Sequence, residues 1–345
     1  MRDYPMPMPF GWFQVAWSDE VLAGASLPLE SFGRHLVAWR GEEGVPHVWD
    51  AFCPHLGAHL GGAATIEGDA IRCPMHSWQF GADGRCVDIP YADRVNARAR
   101  VRTYPVIERN GGLYAWYHPE EAEPGWDVPE LAAFGAGSGF SEVFRKQYSL
   151  RCHWQEIAET QVDAAHIQAH LIDYQTALNG GVRPERPPMP QVDAYETDGP
   201  RARIRIRQDF PTPRGIVTGR IDTDVWGPGV AATWFTGLVD TLLLGCATPT
   251  GPGTCDLRYS FVVRAGDDAE ATTRLGASFI EEIHQRTAED VEMWEMKAYV
   301  PRPALAHADG PIMQYRRWCE QFYAEGVAPG VAPWEPPLGR ARSTA

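Results

Sequence analysis

Two short segments, each pairing a cysteine with a histidine, constrain this chain more strongly than any other feature. The first is Cys53-Pro54-His55, and the second is Cys73-Pro74-Met75-His76. Two loops that each offer one thiolate and one imidazole can hold a tetrahedral metal ion such as zinc. They can also hold a [2Fe–2S] cluster in which two histidines replace two cysteines on one iron. The pattern therefore predicts a fold that brings two loops together around a metal centre.

The spacing of these ligands favours the iron–sulfur cluster over zinc. Zinc knuckles usually offer C-x₂₋₄-C together with H-x₃₋₅-H, and the mixed pairs found here are unusual for that metal. In addition, Pro74 follows the second cysteine and Leu56-Gly57 follows the first histidine. In these residues the chain resembles a Rieske domain. The resemblance implies the following cluster ligands: Cys53 and Cys73 on the buried iron, His55 and His76 on the outer iron.

Three neighbouring positions indicate which kind of Rieske protein the chain resembles. Rieske proteins of respiratory cytochrome complexes carry an extra cysteine in each loop, and here those positions are Ala58 and Met75. Trp78 stands where those proteins have a serine that donates to a bridging sulfide. Fewer hydrogen bonds to the cluster leave more charge uncompensated on its reduced form, which predicts a low reduction potential. A low potential suits an oxygenase supplied with electrons from NADH.

A second group of candidate ligands lies in the stretch from Gln155 to His170, which reads as one helix over about residues 153–171. On a helical period, Glu159, Asp163, His166 and His170 share a face. Histidines at i and i+4 can bind one metal ion, and neighbouring carboxylates can orient their imidazoles. The alternative interpretation of this face is a solvated polar surface.

A site with two histidines and one carboxylate needs a third ligand, and the long helix predicted over about residues 267–299 offers Asp290. Its apolar stripe includes Ile280, Ile283 and Trp294, and Asp290 falls on that stripe, whereas Glu289 falls on a polar side. A carboxylate facing the core is costly unless it is paired or bound to metal. We therefore predict Asp290 as the third ligand, the alternative being a surface acid near the edge of the stripe.

Taken together, the two groups resemble the Rieske non-haem iron oxygenases, most closely the 3-ketosteroid 9α-hydroxylase and cholesterol 7-desaturase group. The resemblance implies a terminal oxygenase component with a mononuclear Fe(II), O₂ as co-substrate, and hydroxylation of a large apolar, steroid-like or polycyclic substrate. It also implies a homotrimer in which Asp163 bridges the cluster of one subunit to the iron of its neighbour. The implied electron donor is a separate NADH-dependent reductase with flavin and [2Fe–2S] groups, with or without an intervening ferredoxin.

One departure from the family pattern concerns the two iron histidines. Many members place four residues between them, but only three separate His166 from His170, and His153 is a weaker substitute for the second ligand. Three other functions therefore stay open. They are O-demethylation or desaturation at the same iron site, electron transfer without oxygenase activity, and ligand binding by a chain that has lost its chemistry.

Composition and hydropathy argue against several classes of protein. The net charge of −14 disfavours nucleic-acid binding. No apolar run approaches the about 18 residues that a membrane span needs, and the N-terminus lacks the pattern of a signal peptide, so we expect a cytoplasmic protein. The seven cysteines, an odd number, do not form a disulfide framework.

The order of predicted elements gives an α+β fold in two parts. Residues 1–120 read as an all-β Rieske domain of short strands and turns. Residues 121–345 read as a catalytic domain with a helix-grip-like antiparallel sheet flanked by helices. The glycine- and proline-containing stretch 172–190 predicts a mobile loop that covers an apolar pocket, or an ordinary surface connection.

Overall fold

The structure is a computed structural model. It describes residues 4, 6–178, 180–182, 189–212, 215–237, 239–266 and 269–324. Among these residues no helix is both long and apolar enough to cross a membrane.

The N-terminal part is built from antiparallel strands only, as predicted. They form a sheet of order β1-β11-β10, one of order β2-β3-β4-β9 and one of order β5-β6-β7-β8. The two predicted cluster loops follow β4 and β6, which belong to two different four-stranded sheets. The strands are β1 (Gly11–Trp17), β2 (Ser26–Ser31), β3 (Arg34–Arg40), β4 (Pro46–Asp50), β5 (Thr65–Glu67), β6 (Ala70–Arg72), β7 (Gln79–Gly81), β8 (Cys86–Asp88), β9 (Thr103–Tyr104), β10 (Val106–Arg109) and β11 (Gly112–Tyr117).

The C-terminal part is one seven-stranded antiparallel sheet with helices beside it, which confirms the predicted α+β class. The strand order is β12-β18-β17-β16-β15-β14-β13, so strands β13 to β18 form a meander and β12 closes the edge next to β18. The elements are β12 (Phe144–Leu150), α1 (Trp154–Ala158), α2 (Ala164–Leu178), β13 (Gln191–Asp198), β14 (Arg201–Thr212), β15 (Gly215–Trp226), β16 (Val230–Thr236), β17 (Thr241–Gly251), β18 (Thr254–Val263), α3 (Ala269–Met296) and α4 (Ile312–Cys319).

The long helix α3 packs across the sheet through its apolar stripe. Near its middle, Ile280 is buried against Phe261 and Val263 of β18. Near its end, Trp294 joins the largest core cluster, together with Ile157 of α1. The stripe predicted from the sequence is therefore the face that holds α3 in place, and it includes the position of Asp290.

The prediction of one helix over about residues 153–171 is wrong. After α1 the chain makes a single 3₁₀ turn, Glu159–Gln161, and α2 begins only at Ala164. At the start of α2 the Asp163 side chain accepts a hydrogen bond from the backbone N–H of His166 at 2.9 Å, as a helix cap does. The break turns Glu159 away from the histidines, so these four polar residues do not share one face.

The predicted loop over residues 172–190 begins later than expected, because α2 continues to Leu178. Residues 179 and 183–188 lie outside the described part of the chain. The final helix, α4, ends at Cys319 and passes into a 3₁₀ turn over Glu320–Phe322.

A buried ion pair connects the break in the helix to α4. Arg316 donates from Nε and Nη2 to both carboxylate oxygens of Glu159, at 2.7 and 2.8 Å. Both residues are less than one-tenth exposed. A bidentate pair in this setting is strongly directional, so it sets how the 3₁₀ turn sits on the core.

Replacing Arg316 with Met should destabilise the protein by about 3–5 kcal/mol, because it leaves the Glu159 carboxylate buried without its main partner. The matched control is Arg274→Met, which removes an exposed i,i+4 pair with Glu270 on α3 and should cost less than about 1 kcal/mol. Urea unfolding followed by circular dichroism measures both. Equal losses in the two variants would contradict the role of the buried pair.

Candidate metal centres and an apolar pocket

The two cluster loops have the same backbone geometry although their sequences differ. In each loop the cysteine N–H donates to the carbonyl five residues on, in Ala58 and in Trp78. The residue four after each cysteine donates its N–H back to the cysteine carbonyl. That residue is Gly57 in one loop and Ser77 in the other, with φ values of 78° and 59°. The two loops thus present their cysteine and histidine side chains from matching turns.

The donor set at the tip of these loops fits a [2Fe–2S] cluster. Cys53 and Cys73 are both buried and free of disulfides. Burial raises the pKa of the Cys53 thiol to about 11, so a bound cluster would have to supply the positive charge that stabilises the thiolates. The rings of His55 and His76 lie with centroids 4.7 Å apart. The Nδ1 atom of His55 is buried and has no hydrogen-bond partner, as a nitrogen reserved for a metal would be.

Trp78 has a role that its sequence position did not reveal. Its indole stacks on the His55 ring, with centroids 4.3 Å apart and planes 9° from parallel. The indole N–H donates to the hydroxyl of Tyr91 at 2.7 Å. Trp78 therefore covers one face of His55, a predicted cluster ligand, and is held there by a second aromatic residue.

The structure brings His166, His170 and Asp290 together, as predicted. Their ligand atoms all lie within 4.8 Å of one another. The Nε2 atoms of the histidines are 3.1 Å apart. Asp290 Oδ2 lies 3.3 Å from His166 Nε2, and Asp290 Oδ1 lies 3.1 Å from His170 Nε2. The i, i+4 spacing on α2 puts both rings on one side of the helix, so the shorter spacing does not remove His170 from the group.

These distances fit one metal ion bound by three ligands at right angles. Ligand atoms about 2.1 Å from a common metal and 90° apart are separated by about 3 Å. Burial raises the pKa of Asp290, but the hydrogen bonds and charges of His166 and His170 outweigh that effect and hold the pKa below its ordinary value. The carboxylate is therefore in its ligating form.

Asp163 lies at the start of the same helix, between the 3₁₀ turn and the histidines. The turn is held from behind by a close backbone contact, because a Cβ on Gly310 would lie 2.2 Å from the carbonyl oxygen of Val162. Gly310 also has a φ of 89°, which disfavours other residues. The site is thus supported by the loop that precedes α4.

Next to this group is a pocket between α1, the 3₁₀ turn and the sheet, with a cavity volume of about 70 Å³. This volume is below the about 300–1,000 Å³ typical of ligand pockets, so a large substrate would require the walls to move apart. The walls are mostly aliphatic and contain several small residues, which make the room. The lining residues are Ile157, Ala158, Thr160, Gln161, Val225, Pro228, Gly229, Val230, Ala231, Thr233, Leu243, Gly245, Ala247, Leu257 and Tyr259.

Tyr259 connects the pocket to the metal-ligand group. Burial raises the pKa of its hydroxyl well above the ordinary value, with a smaller contribution from the charge of Asp290 and an opposing hydrogen bond with Thr287. Thr287 lies one turn before Asp290 on α3. The sequence offered no signal for this wall, because its residues come from four neighbouring strands, β15 to β18, and only the folded sheet shows which of their side chains share one face.

His153, the weaker alternative ligand, lies elsewhere. Its side chain caps α1 by accepting a hydrogen bond from the backbone N–H of Gln155, and its ring stacks on Tyr4 with centroids 5.3 Å apart. It is 4% exposed and is not part of the group formed by His166, His170 and Asp290.

Both parts of the chain match known protein families. Residues 11–105 match the Rieske [2Fe-2S] domain. Residues 115–323 match the 3-ketosteroid 9alpha-hydroxylase C-terminal domain.

Two curated relatives align along most of the chain. Cholesterol 7-desaturase nvd of Bombyx mori is 30% identical over 335 residues, which cover 93% of this chain and 71% of the relative. The oxygenase component of a 3-ketosteroid-9-alpha-monooxygenase of Rhodococcus rhodochrous is 29% identical over 91% of this chain and 81% of its own. Among solved structures, dicamba monooxygenase bound to dicamba superimposes with a TM-score of 0.71 at 17% identity, covering 90% of this chain and 96% of that one. This last likeness concerns the fold.

The buried His153 should make stability depend on pH. Burial lowers its pKa from 6.5 to about 4, so the unfolded chain binds its proton first and stability is lost as pH falls from about 6.5 towards 4. His153→Asn keeps a capping acceptor but cannot titrate. Between pH 7 and pH 5 the wild type should lose about 2 kcal/mol relative to this variant, measured by urea unfolding at each pH. A difference that does not change with pH would contradict the assignment.

Proposed function

This chain belongs to the Rieske oxygenases with a 3-ketosteroid 9α-hydroxylase catalytic domain, and we propose that it hydroxylates a large apolar substrate of steroid-like or polycyclic shape. It is the oxygenase component of such a system. The observation that carries the proposal is the convergence of His166, His170 and Asp290 beside an apolar pocket. Residues 1–120 would form the electron-accepting domain, and residues 121–345 the catalytic domain.

The proposed ligands follow from the two donor sets. Four side chains would hold the [2Fe–2S] cluster: Cys53, His55, Cys73 and His76. Three would hold a mononuclear iron: His166, His170 and Asp290. With both groups bound, the cluster would supply electrons one at a time and the iron would activate O₂ for attack on a C–H bond.

The residues of the chain would position the metal ion and the substrate and would exclude water from the pocket. Three protein ligands on one side of an ion leave its other side open towards the substrate. Asp290, on the buried stripe of α3, keeps the two imidazoles of α2 at a defined separation. The aliphatic walls from Val225 to Leu257 exclude water and hold an apolar molecule by burial, without specific polar contacts over most of its surface.

Asp163 is proposed as the bridge for electrons between subunits. Its carboxylate already accepts a hydrogen bond from the His166 backbone, which places it beside an iron ligand. At the cluster tip, Leu56 and Met75 are 67% and 60% exposed. Exposed apolar side chains around half-buried histidines suit a surface that another subunit covers. We therefore propose a homotrimer in which each cluster serves the iron of the neighbouring chain.

The electron donor would be a separate NADH-dependent reductase, acting directly or through a ferredoxin. The name of the Rhodococcus relative, an oxygenase component, supports a system of several proteins. All seven cysteines are free and buried, which suits the reducing cytoplasm where NADH is available.

Desaturation is the second candidate activity. Its support is the 30% identity to a cholesterol 7-desaturase along 93% of this chain. Hydroxylation, desaturation and O-demethylation would all use the same three iron ligands. They are distinguished by the product, since hydroxylation adds an oxygen atom, desaturation removes two hydrogen atoms, and O-demethylation removes a methyl group as formaldehyde.

Iron and acid-labile sulfide per chain test the two metal centres. Anaerobically purified protein reconstituted with Fe(II) should contain about three irons and two sulfides. Asp290→Ala should lower the iron content to about two and leave the sulfide unchanged. The control is Glu289→Ala, which removes the neighbouring carboxylate that is paired with Arg286 on the outer face of α3. About two irons in all three proteins would exclude the oxygenase mechanism and leave an electron carrier or a binding protein.

Sedimentation velocity tests the trimer. The wild type should sediment with three times the mass of one chain. Leu56→Glu combined with Met75→Glu should weaken assembly by about tenfold or more, because charges would then have to be buried in the contact. Leu22→Glu is the control, since Leu22 is 66% exposed and lies away from the loops. A monomeric wild type, or equal assembly of both variants, would contradict the proposed contact.

A further inference from the structure

An exposed segment of the N-terminal part, residues 91–100, concentrates positive charge. It contains Arg94, Arg98 and Arg100, and its only acid is Asp93. All three arginines are exposed, and within the described part of the chain they form no ion pair. The segment is therefore positive in a chain whose net charge is −14. A local field opposite in sign to that of the whole protein can attract an acidic partner to one place on its surface.

The acids that precede this segment do not offset its charge, because other arginines already neutralise them. The Oδ2 atom of Asp88 lies 3.2 Å from Nη1 of Arg72. The Oδ2 atom of Asp83 lies 3.3 Å from Nε of Arg85. The positive charge of residues 91–100 is thus reduced only by Asp93.

The segment lies along the side of the small sheet that carries the second cluster loop. Its first residue, Tyr91, accepts a hydrogen bond from Trp78 at the cluster end of the sheet. Its last residue, Arg100, bridges to Arg85 in the turn at the opposite end. The strands between these two ends have three residues each and span about 10 Å. The positive charge is therefore beside the cluster loop and not on its tip.

Two aromatic residues connect this surface to a proposed cluster ligand. The side chain of Tyr91 is 63% exposed, and its hydroxyl is bonded to the buried indole of Trp78. That indole stacks on the ring of His55. An electron from a protein bound at this surface would therefore reach His55 through two side chains that are already in contact.

Exposed apolar side chains lie among the arginines. Val87 on β8 is 54% exposed, and Val95 is 39% exposed. Weak complexes of electron-transfer proteins bury small interfaces, and complementary charges around such an interface speed the encounter. A small apolar patch with positive charge around it fits a short-lived complex of this kind.

We propose that this surface binds an acidic [2Fe–2S] domain of the electron donor. The inference rests on the proposed function, because it takes the Rieske cluster as the electron acceptor. One electron would pass from the reduced donor to the oxidised cluster, and no covalent bond would form or break. The tip at Leu56 and Met75 would stay available for the neighbouring subunit. The surface, called the arginine surface below, consists of Val87, Tyr91, Arg94, Val95, Arg98 and Arg100.

The test measures how fast a ferredoxin reduces the cluster. The full chain, carrying its cluster and Fe(II), is mixed anaerobically with a reduced, acidic plant-type [2Fe–2S] ferredoxin, and stopped flow follows the bleaching of the Rieske absorption. The potential of such ferredoxins lies below that of Rieske centres, so the transfer is downhill. The second-order rate constant should fall by about tenfold or more from low to high salt. Two acidic proteins without an attractive surface would instead react faster as salt screens their repulsion.

A triple variant removes the charge of the arginine surface. Arg94→Ala, Arg98→Ala and Arg100→Ala together should lower the rate constant at low salt by about tenfold and remove most of its salt dependence. The corresponding triple lysine variant keeps the charge and should stay within about twofold of the wild type.

The matched control changes the net charge by the same amount at other places. It replaces three exposed arginines with alanine: Arg109, Arg302 and Arg317. Its rate constant should differ from that of the wild type by less than about twofold, because the arginine surface is intact. Full bleaching by dithionite shows that each variant has folded with its cluster.

The outcomes separate this inference from the proposed function. A rate constant that rises with salt, or falls equally in the two triple alanine variants, would overturn the docking site and leave the oxygenase in place. So would a ferredoxin that fails to reduce a cluster which dithionite bleaches. A loss of assembly in the arginine-surface variant, seen by sedimentation velocity, would assign the surface to a subunit contact and also overturn the inference. A wild type that dithionite does not bleach would lack the cluster, which would overturn the proposed function as well.

Discussion

The burial of one carboxylate beside two imidazoles is the constraint on which the catalytic half of the molecule depends. Asp290 is 6% exposed and lies on the face of α3 that packs on the core. An ionised group there is costly unless opposite charge or metal accompanies it. His166 and His170 approach it from α2, and a metal ion among the three would complete the compensation. The relative position of α2 and α3 therefore depends on the interaction of Asp290 with the two histidines as well as on apolar packing.

The two acidic residues near the break in the helix, Glu159 and Asp163, have different roles. Glu159 is bound by Arg316 from α4, whereas Asp163 caps α2 beside His166. A continuous helix would have put both acids on the histidine face. Because the helix breaks after Ala158, Glu159 forms the buried ion pair with Arg316, whereas Asp163 stays beside His166. The same break places Gln161 in the wall of the pocket.

In this fold the side chains proposed to bind metal and most of the residues that line the pocket lie on different elements. The proposed cluster ligands lie on two matching turns that follow strands of two different sheets, with Trp78 stacked on one histidine. The metal-ligand group lies on two helices, and the pocket beside it is lined largely by four strands. Substitutions in those strands can change the shape of the pocket without moving a ligand.

Local sequence patterns determined much of the candidate site. The Cys-x-His and Cys-x-x-His spacings specify the cluster loops because ligand chemistry acts over a few residues. Asp290 was found from the apolar stripe of its helix, and His166 and His170 from their i, i+4 spacing, because helical periodicity is a local property. Only the tertiary structure decided the break after Ala158, the partner of Glu159, the stacking of Trp78 and the set of residues that line the pocket. Each depends on groups far away in the chain, such as Arg316, Gly310 and the strands of the sheet, and no local pattern specifies which distant residue will satisfy a buried charge.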